Sequence, residues 1–241
     1  MTVDPRSRGA DYGLLSLGPF LCFRRPASLL LGLVLVAVGY FGPWVPHETA
    51  ALTVTGVELA EFAKFFPQVQ GGGVPVAREL FYLPLVSLFV LLSVFVARSS
   101  ERLWRFVVPL CLAASSIFVL FPYSVVESLR HTLAARVPFA LDPAYAGQTV
   151  LVLVGTTLVL LGPLTHGLPR RVCGVFVVLL ALAGVIPPLW QFALLRPLVV
   201  ALYTGGSGSL GLGWGLVTCA IGFVLLVLSG AFLSLGPDSS E

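Results

Sequence analysis

The stretch LFYLPLVSLFVLLSVFVA, residues 80–97, decides how the rest of the chain is read. It holds no charged side chain, and Arg78, Glu79 and Arg98 close it at its two ends. Its length approaches the roughly 20 apolar residues a helix needs to cross a hydrocarbon layer about 30 Å thick. Backbone N–H and C=O groups find no water there, so the run must bond them internally, as a helix. The period-two alternation of a membrane strand is absent.

Runs of the same kind occupy residues 27–44, 106–121, 148–165, 172–190 and 210–235. The run at 106–121 is the shortest, and Trp104 extends it. The composition agrees with them. Of 241 residues, 57% are hydrophobic and 10% charged, and the mean hydropathy is +0.99. Soluble domains carry about 25% charged residues. So few charges cannot clothe a water-facing surface, and lipid must be the solvent. The expected fold is all-α: a polytopic membrane protein with six transmembrane helices in three hairpins over residues 27–235. Residues 1–26 are expected to form a cytoplasmic segment and residues 236–241 a cytoplasmic tail. Asp4, Arg6, Arg8, Asp11, Arg24 and Arg25 interrupt the first stretch, which speaks against a cleavable leader.

Lysine and arginine set the orientation. An even number of spans puts both termini on one side. That side collects Arg6, Arg8, Arg24, Arg25, Arg98, Arg102, Arg105, Arg170 and Arg171, against Lys64, Arg78, Arg130, Arg136 and Arg196 on the other. The richer side is expected to be cytoplasmic, in a cell-membrane protein. The first spans of the three hairpins then end alike, in GYFGPW, VLFPY and GVIPPLW, and a weak threefold repeat is one reading of that likeness.

Two outer connections carry helix signals. Thr55 and Glu58 have the spacing of a capping box. Leu59, Phe62, Ala63 and Phe66 follow on one helical face, Glu61 and Lys64 stand three residues apart, and Pro67 and the glycines at 71–73 end the segment. Ser124 and Glu127 repeat the box, with Val126, Leu129 and Leu133 on one face and His131 away from it. Two short amphipathic helices on the outer side are expected, as a cover for the bundle or as a docking surface. Phe62, Phe66, Arg78, Glu79, Leu129 and His131 are the candidate contact residues there.

The last run is rich in small side chains. Gly211, Gly215, Thr218, Gly222 and Ser229 lie along one face, and such faces let helices approach closely in lipid. Gly32 with Gly39, and Gly155 with Gly162, repeat a seven-residue spacing. Tight packing inside the bundle is expected from them.

Chemistry-bearing motifs are scarce. The apolar runs hold no Asp, Glu, Lys, Arg or His, which weighs against proton- or ion-coupled transport. The GGSGS at residues 205–209 has the GxSG of intramembrane serine proteases, but no histidine follows Ser207 to activate it. Cys22, Cys111, Cys173 and Cys219 lie far apart, without a CxxC. His47 and His131 fall outside the bundle and His166 inside the cell, so no haem clamp forms between them. No catalytic residue, metal or cofactor is expected. A net charge of +3 is too small for nucleic acid. The expected role is a non-catalytic membrane subunit or scaffold, with membrane lipids and a membrane protein as partners. A permease component of a transporter is the alternative, followed by an enzyme acting at the outer interface.

Overall fold

The structure, a computed structural model, describes residues 18–46, 53–99, 101–120, 123–135, 143–204 and 211–235. They are mostly helical, as an all-α membrane protein requires. Four helical segments are long and apolar enough to cross a membrane: Arg78–Ser99, Tyr145–Gly167, Arg170–Tyr203 and Trp214–Leu235. Two shorter apolar segments, Ala27–Phe41 and Trp104–Ile117, lie among them.

Helix α1 (Gly18–Phe41) stops at Gly42 and Pro43. The Trp44 indole N–H turns back to donate to the Gly39 carbonyl at 3.1 Å, satisfying one of the acceptors a helix end leaves open. Helix α9 (Trp214–Leu235) lies along α1. Glycine makes this possible. A Cβ on Gly39 would stand 2.2 Å from the Cys219 amide nitrogen, and one on Gly222 would stand 2.7 Å from that of Val36. Gly215 meets Gly42 in the same way, and Ser28 and Ser229 share a hydroxyl hydrogen bond of 3.0 Å further along. Of the small residues in the last run, Thr218 is half-buried. Gly211 is exposed, precedes the helix and has nothing within 4 Å of its Cβ position, so it takes no part in this seam. Gly213 closes up instead, donating to the Trp44 carbonyl at 3.0 Å.

Helix α4 (Leu83–Ser99) contacts α1, α5 (Trp104–Leu120), α7 (Pro143–Leu161) and α8 (Arg170–Thr204). Gly155 and Gly162 press against Val86 and Ser93 of α4, and Ser93 donates to the Val159 carbonyl at 2.8 Å. A buried serine in lipid thus spends its hydroxyl on backbone.

Helix α8 departs from the reading of the sequence. The run was expected to stop near Trp190, with a loop to Ser209. The helix instead passes Pro187, Pro188 and Pro197 and ends at Thr204, over 35 residues. Proline interrupts helices in water because it lacks an N–H and crowds the carbonyl four residues back. Inside a bundle, neighbouring helices compensate. Gln191, Phe192, Leu195 and Val199 are buried along the continuation, and that packing holds it helical. The three proline-aromatic ends are therefore unlike: the first stops a helix and the third lies inside one.

The segment carrying the first of the two helix signals is also reorganised. A two-stranded antiparallel sheet, β1 (Pro43–Val45) and β2 (Val54–Thr55), precedes it. Both the Thr55 amide and the Thr55 hydroxyl donate to Glu58 Oε2, each at 2.9 Å. The bond from the amide is the carboxylate half of a capping box, but no side-chain bond caps the start of the helix. The helix accordingly begins only at Leu59, as α2 (Leu59–Phe62), and tightens to a 3₁₀ turn (Ala63–Phe65). Phe66 is extended, and Pro67 starts a further turn, α3 (Pro67–Gln70), rather than ending the segment. A second 3₁₀ turn (Arg78–Tyr82) leads into α4. The helix with the second signal, α6 (Tyr123–Ala135), is continuous.

Candidate functional site

A set of polar side chains converges at the end of the bundle that carries α2 and the start of α4. Arg78 and Glu79 open the first of the four long apolar segments. The Arg78 guanidinium lies 4.5 Å from the centre of the Tyr145 ring, at the start of α7. Lys64 Nζ lies 4.7 Å from the same ring and donates to Tyr145 Oη at 3.2 Å. Lys64 also pairs with Glu61, realising the three-residue spacing as an ion pair. The other oxygen of Glu61 accepts from Tyr82 Oη at 3.1 Å. Tyr82, Glu61, Lys64, Tyr145 and Arg78 form one chain of interactions. Contacts of a cation with an aromatic face contribute roughly 0.5–2 kcal/mol each, more where water is excluded. Glu79 packs against Gly147, where a Cβ would stand 2.8 Å from its Oε1. A cleft of about 580 Å³ opens beside this chain of interactions, lined by Lys64, Arg78, Glu79 and Tyr145 together with Val69 and Gln70.

Behind this chain the layer is apolar. Leu59, Ala60, Ala63 and Phe66 are buried in the same core as Trp44, Phe81 and Phe192. Phe62 is half-buried, edge-on to Phe66 at 5.3 Å and 6.2 Å from Tyr203 at the far end of α8. Gln191 on α8 accepts from the Ala77 amide at 2.9 Å. The continuation of α8 is thus a wall of this layer. Phe65 is 77% exposed.

The structure therefore gathers Phe62, Phe66, Arg78 and Glu79 into one layer. Leu129 lies apart, on α6, which packs on α7. His131 is on the same helix, but its side chain is outside the described residues, as is His47. Val126, Leu129 and Leu133, the apolar face of α6, are 47%, 48% and 75% exposed. Reading the sequence missed Tyr82, Tyr145, Gln191 and Tyr203 as members of the layer. Tyr145 stands just before an apolar run, where an interfacial aromatic is commonplace, and its partner Lys64 is 81 residues away.

Chemically, the layer gathers two carboxylates, two cations and two phenols, of which Glu79, Lys64, Arg78 and Tyr145 line the cleft. Most of them are engaged with one another, which makes the set a fastening between the layer around α2 and α7. Among the described residues, no three His, Cys, Asp or Glu side chains come together as metal ligands. Cys173 and Cys219 are buried, and Cys111 is exposed.

Fold and site together define a helical, membrane-embedded protein with an organised polar layer at one end of its bundle. No protein-family model, no curated protein and no solved structure matches the chain.

Proposed function

We propose that the protein is a non-catalytic integral subunit of a larger membrane assembly. Its six-helix bundle stands in the cell membrane as three hairpins with both termini in the cytoplasm. The layer around α2 is its cover, and α6 is the surface on which a partner membrane protein docks. One observation carries this reading: Val126, Leu129 and Leu133 remain exposed on a helix whose pattern would bury them. The cover does the opposite, with Leu59, Ala60, Ala63 and Phe66 buried in the core. A helix as short as α6 is marginal by itself in water. Burying each large apolar side chain contributes roughly 1.5–3 kcal/mol, so a partner's apolar surface over α6 would hold both in place.

The test is purification from native membranes in a mild detergent. The wild-type chain is expected to carry a stoichiometric membrane protein. The triple variant Val126→Ser, Leu129→Ser, Leu133→Ser is expected to melt within about 2 °C of wild type, because these side chains are already exposed. It should lose the partner. A wild-type chain that elutes alone refutes the subunit reading, and a triple variant that keeps its partner refutes the assignment of α6.

Six spans are supported by α1, whose 24 residues extend the Ala27–Phe41 segment, and by the 17-residue α5. The orientation rests on Arg98, Arg102, Arg105, Arg170 and Arg171, which share one end of the bundle, opposite Lys64, Arg78 and Arg196. Buried Cys173 reports nothing to a thiol reagent in the folded protein. Exposed positions do. In a Cys22→Ser, Cys111→Ser background, Gln68→Cys should react with an impermeant maleimide in intact cells, and Glu101→Cys only after permeabilisation. The reverse pattern would invert the topology.

A further inference from the structure

We infer that the arginine-rich end of the bundle holds a binding site for an anionic phospholipid, with the phosphate on Arg98 and Arg170 and an acyl chain between α1, α4, α8 and α9. A cavity of about 440 Å³ opens there. That is within the roughly 300–1,000 Å³ range of small-molecule sites. Leu29, Leu91, Val94, Phe95, Val177 and Leu233 make its apolar walls. Arg98, Ser99 and Arg170 stand at its mouth. Leu91 lies seven residues before Arg98 on α4, and Val177 seven after Arg170 on α8. At 1.5 Å per residue, each wall runs about 10 Å inward from its arginine. A greasy slot with cationic groups at one end has the polarity of an amphiphile with an anionic head.

The two arginines are differently placed. Arg98 donates through Nη1 to the carbonyls of Thr165 and Leu168, at 3.0 and 3.2 Å, which fixes its guanidinium at the rim. A guanidinium carries five donors, so it retains some for a ligand. Arg170 is half-buried and makes no hydrogen bond or ion pair among the described residues. Among those residues, no carboxylate lines the cavity to neutralise either cation. Guanidinium groups match phosphate oxygens in pairs. Basic pockets between transmembrane helices are a recurrent way of holding anionic headgroups. In a chain solvated by lipid, a phospholipid supplies both the head and the chain that the cavity fits. The site is remote from α6 and does not depend on its docking role.

The experiment uses the full-length protein, delipidated in a mild detergent and titrated with dioleoylphosphatidylglycerol or dioleoylphosphatidylcholine under native mass spectrometry. Wild type is expected to favour the anionic lipid by roughly 10- to 30-fold, the effect of two basic groups near a headgroup. Arg170→Gln should cut the preference to about three- to fivefold without loss of fold, since its side chain breaks no bond among the described residues. Arg98→Gln should weaken binding too, but it also frees the Thr165 and Leu168 carbonyls, so Arg170→Gln decides. Arg102→Gln removes an equal charge from the same end, away from the cavity, and should leave the preference in place. Glycerol phosphate, a headgroup without a chain, should not displace the lipid at equal concentration. Equal retention of both lipids by wild type, an unchanged preference in Arg170→Gln, or an equal loss in Arg102→Gln would overturn the site. Displacement by glycerol phosphate would show an anion site without a lipid slot, and would overturn it as well.

Discussion

Gly39→Leu should lower the melting temperature in detergent by about 10 °C or more. The position faces backbone on every side: its Cβ would stand 2.2 Å from the Cys219 nitrogen, 2.6 Å from the Gly215 oxygen and 2.7 Å from the Cys219 Cα. No rotamer relieves a clash with main chain. The first and last helices would have to separate, and the separation opens the core that Val36, Tyr40 and Phe223 share. Overpacking of this kind costs about 3 kcal/mol or more. In a chain of this size each kcal/mol is worth roughly 2–4 °C. Gly222→Leu should act in the same direction, its Cβ meeting the Val36 nitrogen at 2.7 Å. Gly211→Ala is the control and should change nothing. A Gly39→Leu protein that melts with wild type would show that α1 and α9 do not meet as described.

The other large effect concerns the outer layer. Phe62→Ser combined with Phe66→Ser should speed proteolysis at residues 71–73 at least about tenfold, and should lower the melting temperature of the whole protein. Truncating a fully buried phenylalanine costs roughly 3–5 kcal/mol, and the half-buried Phe62 adds less. The segments α2 and α3 have four residues each and no independent stability to set against that loss. Global melting is coupled because Leu59 and Ala63 share a core with Trp44 and Phe81. Glu58→Gln should matter far less, since an amide oxygen still accepts from the Thr55 amide. Faster proteolysis with unchanged melting would make the segment an appendage, and the docking role would then pass from α6 to it. No change in either measurement would refute the burial of this face.

What the sequence discloses here follows from which forces are local. The apolar runs are legible because a span is a matter of composition. Residues 80–97 nearly coincide with α4 and its leading turn. The seven-residue glycine spacings are legible too, because a heptad returns to one face of a helix. Which face meets which is not, and the meeting of Gly39 with Gly215 becomes visible only in three dimensions. The length of α8 was hidden because prolines at 187, 188 and 197 weigh against a helix in any local reading. What overrides them is burial of Phe192, Leu195 and Val199 against distant segments. The capping signal at Thr55 and Glu58 marked the right neighbourhood and the wrong first residue: the carboxylate half of the box forms, and residues 56–58 make a turn before the helix begins. The polar chain was half legible: Glu61 and Lys64 are neighbours on their own segment, whereas Tyr145 reaches Lys64 from another helix.

The length of α8 bears on how the protein sits in its bilayer. A 35-residue helix is about 50 Å long, whereas the 22-residue α9 beside it spans about 33 Å, close to a hydrocarbon thickness. The surplus of α8 emerges where Phe192 and Tyr203 meet the outer layer. Trp190 and Trp214 are both largely exposed, and tryptophan collects at the headgroup level. Arg196 follows within two turns of Trp190 and is exposed in its turn. These residues act as a depth gauge, pinning the water boundary to one level of the rod. A thinner membrane cannot be met by sinking the bundle, because the projecting end is clamped to the sheet and to the turns beside it. Adjustment falls to the opposite, arginine-lined rim, where the lipid leaflet must deform or the helices must tilt. A mismatch between the bundle and the membrane's thickness would then fall on that end.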